Sequence, residues 1–513
     1  MRKKQIVNIV NFVRGCEPRR EMDLIKPVTE QIRLMKQHGL RGTFLLQYDA
    51  MLIPELVELF QQLDREQFEL GVWHEIVQPQ VERCGLKWRG RFPWDWYTHC
   101  GFSVGYSKRE RERLADALYE KFKEMFGTYP RVFGSWLFDT HTVRYLSDQY
   151  GMDALCNCKE QYGTDGYTLW GGYYGQGYYP SRTNVFMPAQ KSEDQIPVPL
   201  FRMLGSDPVY QFDYRLDSNR DTLTKQSVIS LEPVYPFAGG APTWVDWFMK
   251  ENYNGECLSF GYAQAGQENS FGWESMRDGL TYQFALFERL QKEGVITVEP
   301  LGETGRWFKE TYSDTPASAI VAHTAYDDTD KNSVWYCTKH YRINLYGEQG
   351  SFRIRDLHLF TDRLPDPYED TVCTSNHADY DTLPYIDGNR YTGKGVLAGG
   401  ILTYRDGSSP SFTHMTFTET GKGEATVTYG DLRVELYEKG FRIIGKAPFT
   451  LENRIGMDGN HLPDVIACAD QALVLCYKGV SYQLTLTKGH FDSPYHLSSD
   501  GIVLELVVSP SHI

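Results

Sequence analysis

Arg131-Val-Phe-Gly-Ser-Trp-Leu-Phe138, followed at once by Asp139-Thr-His141, is the stretch whose reading decides the fold. An apolar run that stops abruptly at polar groups predicts a strand leaving a sheet. The pattern is repeated a few residues on, where Asp153-Ala-Leu-Cys-Asn-Cys158 ends in Lys159-Glu-Gln161 and opens a loop of Trp, Tyr and Gly reaching Arg182. In parallel α/β architectures, ligand sites lie beyond the carboxyl ends of the strands. Aromatic rings on glycine-dependent turns suit a flat, partly apolar ligand such as a sugar ring. Trp136 and Trp170 are the first candidates for such stacking, with Asp165 placed to bond a hydroxyl.

Working outward, the same unit recurs on both sides. Strands are expected over 5–13, 41–46 and 68–73, ending at Arg14, Gln47 and His74-Glu75, with helices near 22–38, 52–64 and 107–126. A Trp-rich insertion runs from Trp88 to Gly101. Further strands leave at Asp207, after Val198 to Arg202, and at Gln264, where Gln267-Glu268-Asn269 and Trp273 follow. Val228 to Glu232 is one more strand candidate. This alternation over residues 1–315 predicts a (β/α) barrel of seven or eight strands. No G-x-G-x-x-G follows the first strand and no phosphate-binding G-x-x-x-x-G-K-[ST] occurs, which weighs against an open doubly wound sheet. From residue 316 to 513 short apolar stretches alternate with turn residues, and an all-β domain, a β-sandwich, is expected. The fold class is therefore α/β plus all-β.

Composition narrows the function. The 513-residue chain carries a formal net charge of -14, and its densest basic run, Lys108 to Arg113, is interleaved with Glu. Binding to a nucleic-acid backbone needs clustered Lys and Arg, so that class is excluded. Aromatic residues make up 14% of the chain, which fits carbohydrate handling. The ten cysteines show no C-x-x-C spacing and read as thiols of a reducing compartment. No stretch approaches the roughly 20 apolar residues of a membrane span, so no membrane association is expected. Asn8 and Asn11 interrupt the apolar N-terminus, which reads as a strand and not a signal peptide. A cytoplasmic protein is expected, or a periplasmic one if a signal segment has been removed, and homo-oligomerisation is left open.

Cleaving a glycosidic bond takes two carboxyl groups, an acid for the leaving oxygen and a nucleophile or base. Asp139 and Glu268 stand at two strand exits and form the expected catalytic pair, with Glu75 in reserve; Glu17 and Glu232 are read as structural. Arg14, Gln47, His74, His141, Lys159, Asp207, Gln264 and Trp273 are expected to contact substrate with the aromatic residues above. His74, His141 and Asp139 lack diagnostic ligand spacing, so no metal or other cofactor is expected.

Trp136-Leu-Phe-Asp139 is similar to the Trp-Leu-x-Glu segment that carries the nucleophile in family 57 glycoside hydrolases. Gln267-Glu268-Asn-Ser-Phe271-Gly272-Trp273 is similar to the segment in which an acidic residue precedes Phe-Gly-His-Trp and acts as general acid. On these residues the chain resembles the glycoside hydrolase/deacetylase superfamily barrels, which include families 57 and 38 and the polysaccharide deacetylases. More closely, it resembles a bacterial two-domain family with such a barrel and a β-rich domain. Asp replaces Glu in the first segment and Glu replaces Asp in the second, and the deacetylase Thr-Phe-Asp-Asp and His-x-x-x-His motifs are missing. The resemblance implies a carbohydrate-active hydrolase. The alternatives are a non-catalytic glycan-binding protein and a metal-dependent polysaccharide deacetylase.

Overall fold

Strand β1, Gln5–Val13, is buried along its whole length. Its Ile, Val and Phe residues suit a parallel strand covered on both faces. The asparagines that interrupt it are fastening points. Asn8 donates to the Glu299 carbonyl and to Thr304 Oγ1, both at 2.8 Å. Asn11 Oδ1 accepts from the Gln267 amide at 3.1 Å. The structure, a computed structural model, describes residues 3–213, 228–457 and 461–509.

Four strands follow β1 in order, β2 (Gly42–Leu46), β3 (Phe68–Trp73), β4 (Val132–Ser135) and β5 (Ala154–Asn157). The aromatic loop contributes β6 (Gln161–Thr164), β7 (Tyr167–Leu169) and β8 (Gly177–Tyr178). Then come β9 (Leu200–Arg202), β10 (Gly261–Ala265) and β11 (Thr297–Val298). Hydrogen bonding gives the order β10-β1-β2-β3-β4-β5-β9, every pair parallel, with β8 antiparallel on β9 and β11 beside β1. The last long strand, β10, pairs with the first and also comes up against β9 from the other end of this order, so the sheet wraps into a nearly closed barrel. β9 and β10 are not hydrogen-bonded to each other, and the rings of Phe201 and Tyr262, 5.1 Å apart, meet across that seam. Among the described residues the Val228–Glu232 stretch forms a single bridge, Ser206 to Ser230, and is not a barrel strand.

Helices cover the barrel as the sequence predicts. The charged helix Lys108–Phe126 starts where Ser107 and Glu110 cap each other and stops at Gly127, whose φ of 81° suits glycine. Its buried face carries Leu114, Leu118, Tyr119 and Phe122. Among the described residues no helix is long and apolar enough to cross a membrane.

After the last helix, Leu301–Thr311, the chain becomes β-rich, as expected. One antiparallel sheet runs from Ser318–Ala322 through Lys331–Cys337, Tyr341–Glu348 and Ser351–Leu359 to strands near residue 498. These first strands are buried on both faces. A second sheet of eight strands has one buried and one more exposed face, visible in the alternation along Glu424–Tyr429 and Ala472–Tyr477. The two sheets meet through rings such as Phe352 and Tyr429, 4.9 Å apart. The first sheet's other face receives the barrel's aromatic loop, and Ala378–Tyr380 adds a parallel strand to β7.

Candidate active site

At the carboxyl ends of the barrel strands lies a cleft of about 250 Å³. Its floor is built from the exits of β1, β3 and β10. Arg14, the first residue after β1, is buried and holds two glutamates at once. Its Nε and Nη2 donate to Glu75 at 2.9 and 3.0 Å, a bidentate pair, while Nη1 donates to Glu268 at 3.2 Å. Nη2 lies 2.9 Å from Glu75 Oε2 and 3.0 Å from Glu268 Oε2, so one guanidinium nitrogen holds an oxygen of each carboxyl.

The backbone fixes this cluster. The Arg14 amide donates to Asn269 Oδ1, and Asn269 Nδ2 donates back to the Arg14 carbonyl, both at 2.9 Å. Gly266 makes the approach possible: its φ is 114°, and a Cβ there would lie 2.1 Å from the Val10 carbonyl oxygen. The loop after β10 therefore rides directly over β1, bringing Glu268 to Arg14.

The two glutamates differ in what remains free. Glu75 Oε2 also accepts from Trp73 Nε1 at 2.8 Å and from Gln47 at 3.4 Å, so both its oxygens are occupied by donors. Glu268 Oε1 accepts from Ser270 Oγ at 2.9 Å, whereas its buried Oε2 has no aligned hydrogen bond. Burial pushes the Glu75 carboxyl up to about 7, with Glu268 adding to the shift and Arg14 and Trp73 opposing it. Glu268 is also raised by burial, against Arg14 and Ser270. The guanidinium of Arg14, although buried, is held still more firmly protonated by Glu268 and Glu75.

Aromatic side chains form the walls. Trp94 lies under the Arg14 guanidinium, 4.0 Å from its ring centroid, and Trp96, Trp136, Tyr167 and Tyr235 complete much of the lining. The Trp88 to Gly101 insertion reaches the mouth through the bridge between Val77 and Trp94. Trp136 stands edge-on to Trp73, with ring centroids 5.1 Å apart. Asp165 lines the rim in a left-handed conformation, φ 51°. A third buried glutamate, Glu232, also lines the cleft.

The structure thus brings together Arg14, Glu75, Trp136, Asp165 and Glu268 from the expected set, with Gln47 behind Glu75. The others stand elsewhere. Asp139 is fully buried, caps the helix Thr140–Tyr150 through the Thr142 amide at 2.9 Å and pairs with Arg111 at 3.0 Å; it is not among the cleft's lining residues. A carboxylate directly before a helix is drawn to that helix's free amides, which is why it turns from the mouth. His141 bonds Glu112 at 3.0 Å. His74 is enclosed beside Phe133, and burial lowers its pKa to about 4. Gln264 is buried at the end of β10 outside the lining, and Lys159 borders a separate small cavity with Arg202 and Tyr262. Asp207 closes a turn, accepting from the Val209 and Tyr210 amides and from Trp244 Nε1. Trp273 begins the helix Trp273–Lys292 and lines a different hollow with Arg20 and Met22.

Trp170 is the largest departure from expectation. It is buried, and its Nε1 donates to Asp387 of the β-rich region at 2.9 Å. Tyr173 donates to the Pro316 carbonyl at 2.8 Å. The aromatic loop is a joint between the two parts of the chain, because a run of large rings gains most where a second apolar surface can cover it. Among the described residues no three His, Cys, Asp or Glu side chains gather as a metal-ligand set. Glu232 and Tyr235 were not expected at the site. They follow no strand, and only the fold carries them to the mouth.

No protein-family model and no curated protein sequence matches the chain. Among solved structures, the fold is similar to that of a candidate glycoside hydrolase/deacetylase from Parabacteroides distasonis, with a TM-score of 0.54 and 14% identity, over 75% of this chain and 92% of that one. A candidate polysaccharide deacetylase from Mycobacterium smegmatis matches with a TM-score of 0.36 and 12% identity, over 60% of this chain and 91% of that one. A family 57-type branching enzyme from Pyrococcus horikoshii matches with a TM-score of 0.32 and 10% identity, over 61% and 70%. The first likeness shows that the chain shares the fold of that structure; at their scores the other two add nothing to it.

Proposed function

We propose that this chain is a carbohydrate-active hydrolase that cleaves glycosidic bonds in the cleft above Arg14. The observation that carries the reading is the pairing of Glu268 and Glu75 on one buried guanidinium beneath aromatic walls. Rings of Trp and Tyr stack on the C–H faces of a sugar, and a carboxylate with an open oxygen serves the reacting carbon or the incoming water. Glu268 lines the cleft, and its Oε2, although 3.0 Å from Arg14 Nη2, has no aligned hydrogen bond and is the oxygen assigned to that role. Glu75, saturated by donors, is a positioning residue that fixes Arg14. The fold likeness to a candidate glycoside hydrolase/deacetylase supports the same direction. A β-sandwich built from the two C-terminal sheets would then buttress the cleft through the strand that joins β7.

The metal-dependent deacetylase reading lacks its donor set among the described residues. The glycan-binding reading shares the aromatic walls but gives no reason for carboxyls clustered on Arg14. The test is incubation with a panel of oligosaccharides and aryl glycosides, followed by chromatography of released sugars. Release by the native protein, lost in Glu268→Gln with retained glycan binding, is the expected result. Binding with no release by the native protein would make it a glycan-binding protein instead.

A further inference from the structure

Cleavage of a glycosidic bond also needs a proton for the leaving oxygen, and on the reading above Glu268 provides only the basic partner. Glu75 is poorly suited to the task, since Arg14, Trp73 and Gln47 donate to its oxygens and leave neither free to carry and present a proton. Glu232 is differently placed. It lines the same cleft with 5% of its surface exposed, and among the described residues no cation lies within ion-pairing distance. Its Oε2 accepts from Ser230 Oγ at 2.8 Å, and among the described residues its Oε1 accepts from Gln267 Nε2 alone, at a long 3.5 Å.

We infer that Glu232 is the general acid of this cleft, the residue that protonates the leaving oxygen of a glycoside whose reacting carbon faces Glu268. The bond between that carbon and the leaving oxygen breaks as the Glu232 proton moves to the oxygen. Glu268 takes a proton from the attacking water as that water's oxygen forms the new bond to the sugar carbon, and exchange with solvent then moves a proton off Glu268 and returns one to Glu232. The charged and titratable groups around Glu232 fit a proton held near neutrality. Burial pushes its carboxyl up to about 7, Ser230, Lys159 and Gln267 draw it down, and Glu268 raises it. Tyr235 and Cys158 are the other titratable neighbours, and both are themselves raised by burial. A buried carboxyl that has no ion pair among the described residues, set near one held by Arg14, is an arrangement that separates two like groups into acid and base.

The test uses phenyl and dinitrophenyl glycosides of glucose, galactose, mannose and N-acetylglucosamine in both anomeric forms. A phenolate leaves poorly without a proton, a dinitrophenolate leaves readily. Glu232→Gln is expected to lower kcat by about 100-fold or more on the phenyl glycoside and by much less on the dinitrophenyl one, and to remove the alkaline limb of the pH profile. Glu268→Gln lowers both alike. A second variant, Ser230→Ala, keeps Glu232 but removes a donor that favours its anion, so the alkaline limb moves to higher pH. Equal losses on both leaving groups in Glu232→Gln, or an unmoved limb in Ser230→Ala, overturn the assignment of Glu232 while leaving the hydrolase reading intact. If the native protein releases no phenol from any of the glycosides, the hydrolase reading fails, and the acid role fails with it.

Discussion

The indole of Trp335 lies flat on the ring of Tyr174, with centroids 3.8 Å apart and planes inclined by 7°. One residue belongs to the β-rich region and the other to the aromatic loop of the barrel, so the contact joins the two halves of the chain. Around it Arg342 pairs with Glu160 at 2.8 Å and with Asp356 at 2.7 Å, all three buried. Trp170, Tyr173 and Tyr174 of the aromatic loop therefore contribute to stability, whereas Tyr167 of the same loop lines the cleft.

Trp335→Ala is accordingly expected to destabilise the whole chain by about 3–5 kcal/mol, the usual cost of deleting a large buried ring. Denaturant unfolding followed by tryptophan fluorescence measures it. A single cooperative transition is expected, since each side loses its cover when the other unfolds. Sugar binding by the protein that remains folded should match the native protein; weaker binding would return the loop to the ligand site.

Asp139→Asn tests whether this residue acts in chemistry or in structure. The amide keeps the helix cap but leaves Arg111 buried without its charge partner, which costs about 3–5 kcal/mol. A lowered melting temperature with kcat preserved at a temperature where the variant is folded is the expected outcome. A loss of kcat by orders of magnitude without a change in melting would restore Asp139 to the catalytic pair.

Arg14→Met removes the cation that Glu75 and Glu268 share. Both carboxyls then lie buried beside one another with no compensation, and their pKa values rise further. The variant is expected to lose about 3–5 kcal/mol of stability near neutral pH and to recover part of it at about pH 5, where the carboxyls protonate. Melting curves across that range check it, and equal losses at both ends would contradict it.

Stability should fall as pH rises from about 5 to 8. Burial raises Glu75 and Glu232 to about 7 and Asp49 and Asp366 to about 6, the last with help from Asp139. In the unfolded chain such groups titrate near 4. Between those values the folded protein holds protons that the unfolded chain has released, so the stability present at low pH is lost as pH climbs through 6 and 7. Asp381 works in the opposite direction, because Arg390 and Lys478 overcome burial and lower it to about 2; its contribution disappears only as pH falls through that value. Calorimetry at several pH values should show the decline, on the order of a few kcal/mol in all, and Asp366→Asn should flatten its lower part.

Much of the barrel was legible because strand burial and strand exit are both local signals. An apolar run covered on both faces, followed by a polar residue, marks where a chain leaves a parallel sheet, and Arg14, Gln47, His74 and Lys159 all follow observed strands. The same rule could not say where each exit side chain turns. Asp139 leaves its strand into a helix start and is captured by the helix's own amides and by Arg111, whose arrival from Lys108–Phe126 is a long-range event.

The sequence by itself marked the parallel strands in their order of appearance, with Val228–Glu232 as one candidate too many, and the change to antiparallel strands after the last helix, because periodicity and strand-end chemistry are carried within short windows; it offered Asp139 and Glu268 as a pair with Glu75 in reserve, without a means of choosing among them. Only the tertiary structure decided that Arg14 joins those two glutamates, that Glu232 reaches the same cleft, and that Trp170, Tyr173 and Tyr174 face the β-rich region. Each of these depends on residues from roughly 60 to 250 positions away in the chain finding one another, as in the Arg14 bonds to Glu75 and Glu268 and the Trp170 bond to Asp387. A ring or a carboxyl has the same local sequence signature whether it meets a ligand or another part of the protein; what it meets is set by the burial and charge pairing that closure of the whole fold makes available.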